Sequence, residues 1–332
     1  MNGIDILGTG RYLPEKVVTN GDFTSIVDTC DEWIGTRTGM KKRRFADNSE
    51  PVWYMGAMAG EDALKAAGIR ASDVDMILVT TVTPDFYTPS TACQIQLKLG
   101  AKNAFAFDIS VACSGVAYAF DMARRYLACD DVKTVLVIST ERLSQITNYK
   151  DRSTCILFGD GAAASVLQAS GKRFSSYLKS DLDGSHLLFA ARPVREIPFV
   201  DNTAPVREIF PEQEKSNGCI VMGGNDVYKF ATRAMPEAVV KACEKLNITP
   251  AELDLIIPHQ ANYRIIETAM KKLLLPIEKC HVNIRDYGNT SSASMAIGLD
   301  ECVREGLIKR GDMVCVVGFG AGLTYGACVF EY

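Results

Sequence analysis

The chain has 332 residues, of which 47% are hydrophobic, and this is enough for a large core over about two domains of ordinary size. Its formal net charge of −4 provides no overall basic field, which argues against nucleic acid as the main partner. With 11 cysteines, no CxxC pair and 3 histidines, the sequence disfavours a zinc ribbon and a disulfide scaffold, and a reducing cytoplasm is expected.

Strands and helices alternate along the chain. Apolar runs predict strands at 3–9, 75–82, 104–110, 133–140, 162–168, 253–258, 279–284, 313–318 and 325–331. Amphipathic runs predict helices at 51–67, 90–99, 114–128, 226–246, 261–274 and 292–305. The alternation indicates mixed or parallel sheets covered by helices. We read no signal peptide, and no apolar run approaches the length of a membrane span.

One structural pattern occurs twice. Residues 63–84 and 239–263 each read as an amphipathic helix, a short polar link and an apolar strand. Asp75 aligns with Asp254, and further along the chain Thr134 aligns with Met313 at the same offset. A repeat with a constant offset predicts two similar α/β halves that pack together.

The least regular stretch, 171–217, lies between these halves and contains Pro193, Pro198, Pro205 and Pro211. We expect a surface connection or an insertion that covers the site. The predicted division is an N-terminal half at 1–170 with the candidate nucleophile, a connecting region at 171–217, and a C-terminal half at 218–332 with the candidate His and Asn.

Cys113 lies at a predicted turn from a strand to a helix. Free backbone amides and the helix dipole at such a turn stabilise a thiolate. A strand-to-helix turn also holds the nucleophile of many hydrolases, with a different residue. The alternative is a buried structural cysteine, and position alone leaves both interpretations open.

The second half offers two helper residues. His259 directly follows the strand 253–258, where a side chain can face a cleft, although a packing histidine is the alternative. Asn289 lies in YGNTSSAS, whose small residues expose the amide, although a turn asparagine is common there. In the repeat, Asn289 falls opposite Cys113. A Cys, a His and an Asn that converge between two halves make a nucleophile with its helpers.

A glycine-rich turn, Gly318–Gly322, follows the strand 313–318. Such a turn can point backbone N–H groups inward as an oxyanion hole. A phosphate loop is the alternative, but neither GK[ST] nor GxGxxG spacing is present.

In this order, these motifs resemble the β-ketoacyl-ACP synthase III family, the initiating condensing enzymes of bacterial fatty acid synthesis. The matching segments are DEWIGTRTGM (31–40), TACQIQLKLGA (91–101), DISVACSG (108–115), DRSTCILFGDGAAA (151–164), MGGNDVYKFA (222–231), PHQANYRII (258–266), YGNTSSAS (287–294) and GFGAGLTYG (318–326). The resemblance implies a thiolase fold, with duplicated halves in a layered αβαβα arrangement. It also implies a homodimer with no metal and no cofactor beyond a CoA thioester substrate.

The resemblance assigns a role to each motif. Cys113 would take an acyl group from acyl-CoA as a thioester. His259 and Asn289 would bind the thioester carbonyl of malonyl-ACP while it loses CO₂, and the resulting carbanion would attack acyl-Cys113 to give 3-oxoacyl-ACP. The backbone amides of Cys113 and Ala321 would form the oxyanion hole.

Three further groups of residues follow from the resemblance. The CoA site would contain Trp33, Arg37, Arg152, Asn225 and Asn262. A basic patch for the acidic carrier protein would contain Lys229, Arg264, Lys271 and Lys272. The acyl pocket would be closed near Phe86, Tyr87 and Thr88. A Thr at the closing position leaves room for longer or branched acyl groups, whereas a Tyr or Phe there restricts the pocket to acetyl, and the sequence leaves both open.

Four other functions share features with this sequence. A specialised condensing or acyl-transfer enzyme on the same fold would keep the three site residues and change the pocket. A papain-like hydrolase also uses Cys, His and Asn but does not explain the duplication. A non-catalytic partner subunit usually loses the nucleophile or the His. A thiolase would carry a second Cys within the glycine turn, whereas Cys315 and Cys328 flank it.

Overall fold

A computed structural model describes residues 3–129, 131–193, 195–196, 198–203, 207–210 and 213–332. Pro205 and Pro211 of the predicted connecting region lie outside the described residues. Among the described residues, no helix has the length and apolar character that crossing a bilayer requires.

The elements follow in the order that the sequence predicts, with additional short ones. The strands are β1 (Gly3–Tyr12), β2 (Lys16–Thr19), β3 (Lys42–Phe45), β4 (Met76–Thr80), β5 (Phe105–Ile109), β6 (Thr134–Arg142), β7 (Asp160–Ser170), β8 (Phe174–Ser180), β9 (Leu188–Phe189), β10 (Val221–Met222), β11 (Leu255–Pro258), β12 (Met313–Gly320) and β13 (Thr324–Glu331). The helices are α1 (Asp31–Thr38), α2 (Val52–Ala67), α3 (Thr91–Leu99), α4 (Gly115–Leu127), α5 (Arg152–Cys155), α6 (Gly224–Glu244), α7 (Tyr263–Lys272), α8 (Ile284–Tyr287) and α9 (Ala293–Arg304).

Two mixed sheets form the frame. The first has the strand order β1-β7-β6-β4-β5, and the second has the order β11-β12-β13-β8. The first sheet has three neighbouring parallel strands and the second has two, with Met76 opposite Val135 in one and Leu255 opposite Val314 in the other. The two pairs are related by the same offset along the chain as the two aspartates, so the repeat predicted from the sequence is present in the strand register.

The two aspartates of the repeat make the same contacts. Asp75 N donates to Thr134 O at 3.0 Å, and Asp254 N donates to Met313 O at 2.9 Å. In return, the carboxylate of Asp75 accepts from Thr134 N at 2.9 Å, and that of Asp254 accepts from Met313 N at 2.7 Å. Each aspartate therefore fixes the start of a parallel strand pair.

The layers alternate between helix and sheet. Helices α2 and α3 cover the outer face of the first sheet, α4 and α9 pack between the two sheets, and α6 with α7 covers the outer face of the second. Strand β4 is buried on both faces: Met76 and Leu78 point into the central core, while Ile77 and Val79 pack under α2 and α3. This period-2 alternation in an unbroken apolar run is typical of a central parallel strand. The αβαβα arrangement expected from the sequence is confirmed.

The predicted strand at 279–284 is wrong. Only Cys280 pairs with the sheet, through a single parallel bridge to Ile256. The amides of Asn283 and Ile284 donate instead to the side-chain oxygen of Gln260, at 3.2 and 3.1 Å, and α8 begins at Ile284. A side-chain acceptor thus replaces the backbone partners that would have extended the ladder.

This local change also shifts the repeat. Ala112 and Ser291, the left-handed residues that precede α4 and α9, have φ of 46° and 50° and are again related by the offset of the repeat. The repeat therefore places Ser292 opposite Cys113. The sequence alignment put Asn289 there and is out of register at this point, because the second copy lacks the full strand.

The connecting region contributes ordered elements. Strand β8 pairs with β13 at the edge of the second sheet, and β9 forms a short ladder with β10. The division of the chain at 170 and 217 stays a prediction.

Candidate active site

A cavity of about 890 Å³ is lined by residues from both halves of the chain. Cys113, His259 and Asn289 all line it, as does Ala321. The structure therefore brings together the three residues that sequence motifs single out, although they are far apart along the chain.

Cys113 lies in a one-turn 3-10 segment, Ala112–Ser114, directly before α4. Its Sγ lies 3.3 Å from the Oγ of Ser291. The residue is half-buried, with its thiol against the cavity. Burial raises the pKa of the thiol to about 12, the hydrogen bond with Ser291 opposes this, and the charge of Glu141 adds to it. A helix terminus contributes only about 1 kcal/mol, less than one pKa unit, so the resting thiol is protonated.

His259 is 1% exposed and directly follows β11. Its Nδ1 lies 2.8 Å from the Oγ of Ser294, and Phe319 packs edge-on against the ring at 5.4 Å. Burial lowers the pKa of the imidazole to about 3, with a small opposing effect from the Ser291 carbonyl. The ring is therefore neutral at physiological pH, and with Nδ1 held by Ser294, Nε2 is the nitrogen left for the cavity.

Asn289 is fixed by its backbone and by its side-chain oxygen. Its N–H donates to Leu157 O and its carbonyl accepts from Gly159 N, both at 2.9 Å. The Oδ1 accepts from Ser291 N at 2.9 Å. Because Oδ1 is occupied by an obligate donor, the amide NH₂ is the group left to donate into the cavity.

The glycines of the predicted oxyanion turn serve close packing. A Cβ at Gly318 would lie 2.7 Å from Cys113 O, and one at Gly320 would lie 2.5 Å from Cys113 N. The end of β12 therefore lies directly against the backbone of the nucleophile turn. Ala321 follows immediately and lines the cavity, as Cys113 does.

Two cations lie over the ring of Trp33, which lines the cavity together with Arg37. The guanidinium carbons of Arg37 and Arg152 each lie 4.7 Å from the ring centre of Trp33. Asn262 caps α7 and donates from Nδ2 to Arg37 O at 3.1 Å. Asn225, in the first turn of α6, lines the same cavity with Trp33, Arg37 and Asn262.

The predicted basic patch lies on α6 and α7. Arg264 lines the cavity and donates to Thr36 O at 2.9 Å. Lys229 pairs with Asp226 at 2.9 Å, and Lys271 pairs with Glu267 at 3.1 Å. Lys272 is exposed. These exposed pairs are weak, so the lysines can exchange partners at little cost.

The predicted acyl-pocket residues lie on the surface of the single chain. Phe86 and Tyr87 are 54% and 69% exposed, Thr88 is exposed, and in the described part of the chain none of them lines the cavity. The ring of Tyr87 packs on Arg192, which does line it, at 4.3 Å. The apolar wall of the cavity is formed by other residues, among them Val82, Leu143, Ile146, Ile156, Leu157, Phe158 and Leu188.

Sequence reasoning missed three polar residues at the site: Glu141, Ser291 and Ser294. Glu141 ends a long apolar run, TVLVIST, and an acid in that position was a usable signal. The two serines follow Asn289 in the SSAS stretch, where only their small size was noted.

The described ranges contain no group of three or more His, Cys, Asp or Glu side chains placed to hold a metal ion.

Comparison with known proteins identifies the family. A protein-family model described as 3-oxoacyl-[acyl-carrier-protein (ACP)] synthase III matches residues 107–185, and the family model for the C-terminal part matches residues 243–332. The β-ketoacyl-[acyl-carrier-protein] synthase III of Caldanaerobacter subterraneus subsp. tengcongensis is 47% identical over 330 residues, which cover 98% of this chain and 97% of that protein.

Solved structures agree with these matches. The 3-oxoacyl-[acyl-carrier-protein] synthase III of Aquifex aeolicus has a TM-score of 0.89 at 43% identity and covers 99% of this chain and 100% of its own. The enzyme from Thermus thermophilus has a TM-score of 0.89 at 39% identity, covering 98% of each chain. The thiolase fold implied by the sequence resemblance is confirmed. The chain belongs to the 3-oxoacyl-[acyl-carrier-protein] synthase III family of condensing acyltransferases.

Proposed function

We propose that this chain condenses an acyl-CoA with malonyl-ACP through an acyl-Cys113 intermediate, giving 3-oxoacyl-ACP and CO₂. The observation that carries the proposal is the convergence of Cys113, His259 and Asn289 on one cavity. Family membership supports the reaction type, and the names of the relatives specify the carrier protein.

The chemistry divides into two steps. In the first, the sulfur of Cys113 attacks the acyl carbonyl, CoA leaves as its thiol, and the backbone amides of Cys113 and Ala321 stabilise the oxyanion. In the second, His259 and Asn289 donate hydrogen bonds to the thioester oxygen of the malonyl group as CO₂ departs. The carbanion then attacks acyl-Cys113, and the thiol is released. Each well-aimed donor contributes about 3–4 kcal/mol to such a step.

The surroundings of Trp33 support the choice of donor. The guanidinium groups of Arg37 and Arg152 both lie over its ring, and this combination of an aromatic ring with two cations suits an adenine ring with its phosphates. Arg264 lines the cavity with Trp33 and Arg37, and a basic patch formed by it and the lysines of α6 and α7 would suit an acidic carrier protein.

We also propose a homodimer through the first sheet. Within the described residues this sheet ends on β5, whose Phe105 is 43% exposed. Phe105 stacks on Phe107 at 6.4 Å, and both rings contact Tyr126. An edge strand with exposed aromatics is a template for pairing with a second copy.

A specialised condensing enzyme is not favoured, because the relatives at 42–47% identity carry the name β-ketoacyl-[acyl-carrier-protein] synthase III. The cytoplasmic location, the absence of a cofactor and the acyl pocket at Phe86, Tyr87 and Thr88 stay predictions.

The test is the intact mass of the protein after incubation with acyl-CoAs from acetyl to long and branched chains. We expect one acyl group to be added to the wild type and none to Cys113→Ala. Cys219→Ala, which removes another half-buried free thiol, should retain the adduct. Full condensation activity in Cys113→Ala, or no adduct with any acyl-CoA, would contradict the proposal. The chain length that reacts reports the size of the acyl pocket.

A further inference from the structure

A buried carboxylate, that of Glu141, lies at the end of β6 and is 0% exposed. Its Oε2 accepts from Val82 N and Thr83 Oγ1, both at 3.0 Å, and its Oε1 accepts from Ser292 Oγ at 2.9 Å. These partners are neutral donors, and within the described residues the carboxylate forms no ion pair. A buried carboxylate without a cation holds a proton more readily than an exposed one.

The hydroxyl of Ser291 connects this carboxylate to the nucleophile. Cys113 Sγ donates to Ser291 Oγ at 3.3 Å. A hydrogen bond from the Ser291 side chain is in turn among those that lower the pKa of Glu141 against the effect of burial. A hydroxyl can accept from one neighbour while it donates to another. The thiol, the hydroxyl and the carboxylate therefore form a chain of hydrogen bonds that runs from Cys113 to Glu141.

The backbone of Ser291 is held in an unusual conformation. Its φ of 50° is left-handed, which is unfavourable for a residue with a side chain. Its N–H donates to Asn289 Oδ1 at 2.9 Å, and its carbonyl accepts from Ser294 Oγ at 2.8 Å. A Cβ on Gly115 would lie 2.9 Å from the Cβ of Ser292, so the starts of α4 and α9 are in contact here. These contacts hold the Ser291 hydroxyl between the nucleophile turn and the end of β6.

Electrostatics favours a transfer within this chain over loss of the thiol proton to solvent. Loss to solvent would leave a thiolate beside an ionised Glu141, and this charge raises the pKa of the Cys113 thiol. If the proton moves to Glu141, the buried network keeps one negative charge, and the thiolate forms beside a neutral carboxyl group. The pKa of Glu141, raised by burial to about 7, makes this carboxylate a stronger base than an exposed one.

We propose that Glu141 accepts the proton of the Cys113 thiol through the hydroxyl of Ser291 during acylation and returns it by the same route after condensation. This inference rests on the proposed function, whose first step leaves open where the thiol proton goes. Ser291 is a relay that touches the reacting sulfur, and Glu141 is the terminal acceptor that acts through it.

The bonds and protons balance over the cycle. In acylation the S–H bond of Cys113 breaks, Ser291 gains this proton and passes its own to Glu141, and the sulfur bonds to the acyl carbon. CoA leaves as a thiolate and takes a proton from solvent. In condensation the bond from the acyl carbon to the sulfur breaks, and the Cys113 thiolate recovers its proton from Glu141. The net uptake of one proton is the one that a decarboxylating condensation consumes.

The neighbouring charged groups leave the region near pH 7 to Glu141. Burial holds the pKa of His259 at about 3, so this ring stays neutral there. Gly161 is the register partner of Glu141 on β7, whereas Arg142 and Asp160 form the next pair and point to the other face of the sheet. In the described part of the chain, the titratable group joined to Glu141 is the thiol of Cys113.

The pH dependence of Cys113 acylation tests the proposal. Acylation by the acyl-CoA that gives the mass adduct is followed in single turnovers between about pH 5 and 9. The wild-type rate should rise about tenfold per pH unit below pH 7 and level off above it, because Glu141 must be ionised to accept the proton. Glu141→Gln cannot accept it, so at pH 8 acylation should be slower by about 100-fold or more. Its profile should have no break near pH 7 and should keep rising, because direct loss of the thiol proton is the route that remains.

Ser291→Ala interrupts the relay and leaves the carboxylate in place. We expect the same slow acylation and the same loss of the break near pH 7. The double variant with Glu141→Gln should be no slower than either single one, because both changes interrupt one path. Ser144→Ala is the matched control: it also removes a serine hydroxyl that donates to a buried carboxylate, Asp160 at 2.6 Å, whose pKa burial raises to about 6. This control should keep the wild-type rate and the break.

Three results would overturn the proposal: a wild-type profile with no break near pH 7, a Glu141→Gln variant that keeps the wild-type rate or the break, and losses that add in the double variant. The first of these needs no variant, so it does not depend on the folding of an altered chain. No adduct with the wild type at any pH would instead overturn the proposed function.

Discussion

Glu141 links the two halves of the chain behind the nucleophile. Its carboxylate, at the end of β6, accepts from Val82 N and Thr83 Oγ1, both at 3.0 Å, and from Ser292 Oγ at 2.9 Å. Burial raises the pKa of this carboxyl group to about 7, and these donors oppose the shift. The group therefore changes charge near neutral pH, close to Cys113.

Replacement of Glu141 by Gln should change how stability depends on pH. The folded protein holds the Glu141 proton up to about pH 7, whereas the unfolded chain releases it near its ordinary value of 4.5. The wild type thus loses stability relative to Glu141→Gln as pH rises from about 4.5 to 7. We expect a change of about 3 kcal/mol in the difference between their unfolding free energies, because one pKa unit corresponds to about 1.4 kcal/mol.

Denaturant unfolding at a series of pH values measures this difference. Glu32→Gln, which removes an exposed carboxylate on α1, is the control for the loss of one negative charge. A difference between wild type and Glu141→Gln that stays constant from pH 4.5 to 8 would show that folding does not raise the pKa of Glu141.

The sequence predicted those candidate site residues that can be recognised from their residue type and the motif around them. Cys113, His259 and Asn289 could be named because each lies in a recognisable motif at a predicted turn or strand end. Ser294 and Glu141 could not, because their roles depend on which atoms they face across the halves. In the sequence, Ser294 is an ordinary helical serine. Only the structure shows that its hydroxyl lies 2.8 Å from Nδ1 of His259.

At the scale of the elements, the end of β12 and the nucleophile turn form one unit. Gly318 and Gly320 let the strand approach the backbone of Cys113 more closely than any side chain would allow. Close packing against Cys113 therefore requires glycine at these two positions of the motif.

Gly320→Ala should separate these two elements. Its Cβ would lie 2.5 Å from Cys113 N and 2.9 Å from the Cβ of Ala112, so the turn must move. We expect the rate of Cys113 acylation to fall by about 100-fold, since a misplacement of about 1 Å has that effect. Gly171→Ala is the control, because nothing lies within 4 Å of a Cβ there. Wild-type acylation in Gly320→Ala would show that the strand can retreat without disturbing the nucleophile.

The elements that the sequence predicted best are those with one clear pattern. Strands β4 and β12 are buried on both faces and read as unbroken apolar runs, and the bounds of the longer amphipathic helices agree closely with their predicted ranges. The antiparallel pair of β2 and β3 was missed because KVVT and KRRF are short, contain few apolar residues and are separated along the chain by α1. The strand predicted at 279–284 does not form, because amides of this segment bind the side chain of Gln260 instead of a neighbouring strand. Gln260 precedes α7 in the sequence, so the pattern of residues 279–284 gives no sign of it.

At the scale of the whole molecule, the exposed edge of β5 carries the proposed dimer contact. Phe105→Lys places a charge on that edge, and a charged side chain opposes strand pairing. We expect sedimentation velocity to show a dimer for the wild type and a shift to monomer for this variant. Leu274→Lys, at a side chain that is 90% exposed beyond α7, should stay dimeric. A dimeric Phe105→Lys protein would place the contact on another face.

The order of the strands places the residues of the candidate site on two different segments of the chain. The strands of the first sheet all precede Gly171, and those of the second all follow it, although the two sheets enclose one cavity. A polypeptide interrupted at Gly171 would leave Cys113, the proposed nucleophile, on one fragment and His259 and Asn289, the proposed hydrogen-bond donors, on the other. Neither fragment would contain a complete site, so turnover would occur only in the reassembled pair. Such a split enzyme would report the association of its own fragments, with each catalytic cycle amplifying the signal of one binding event.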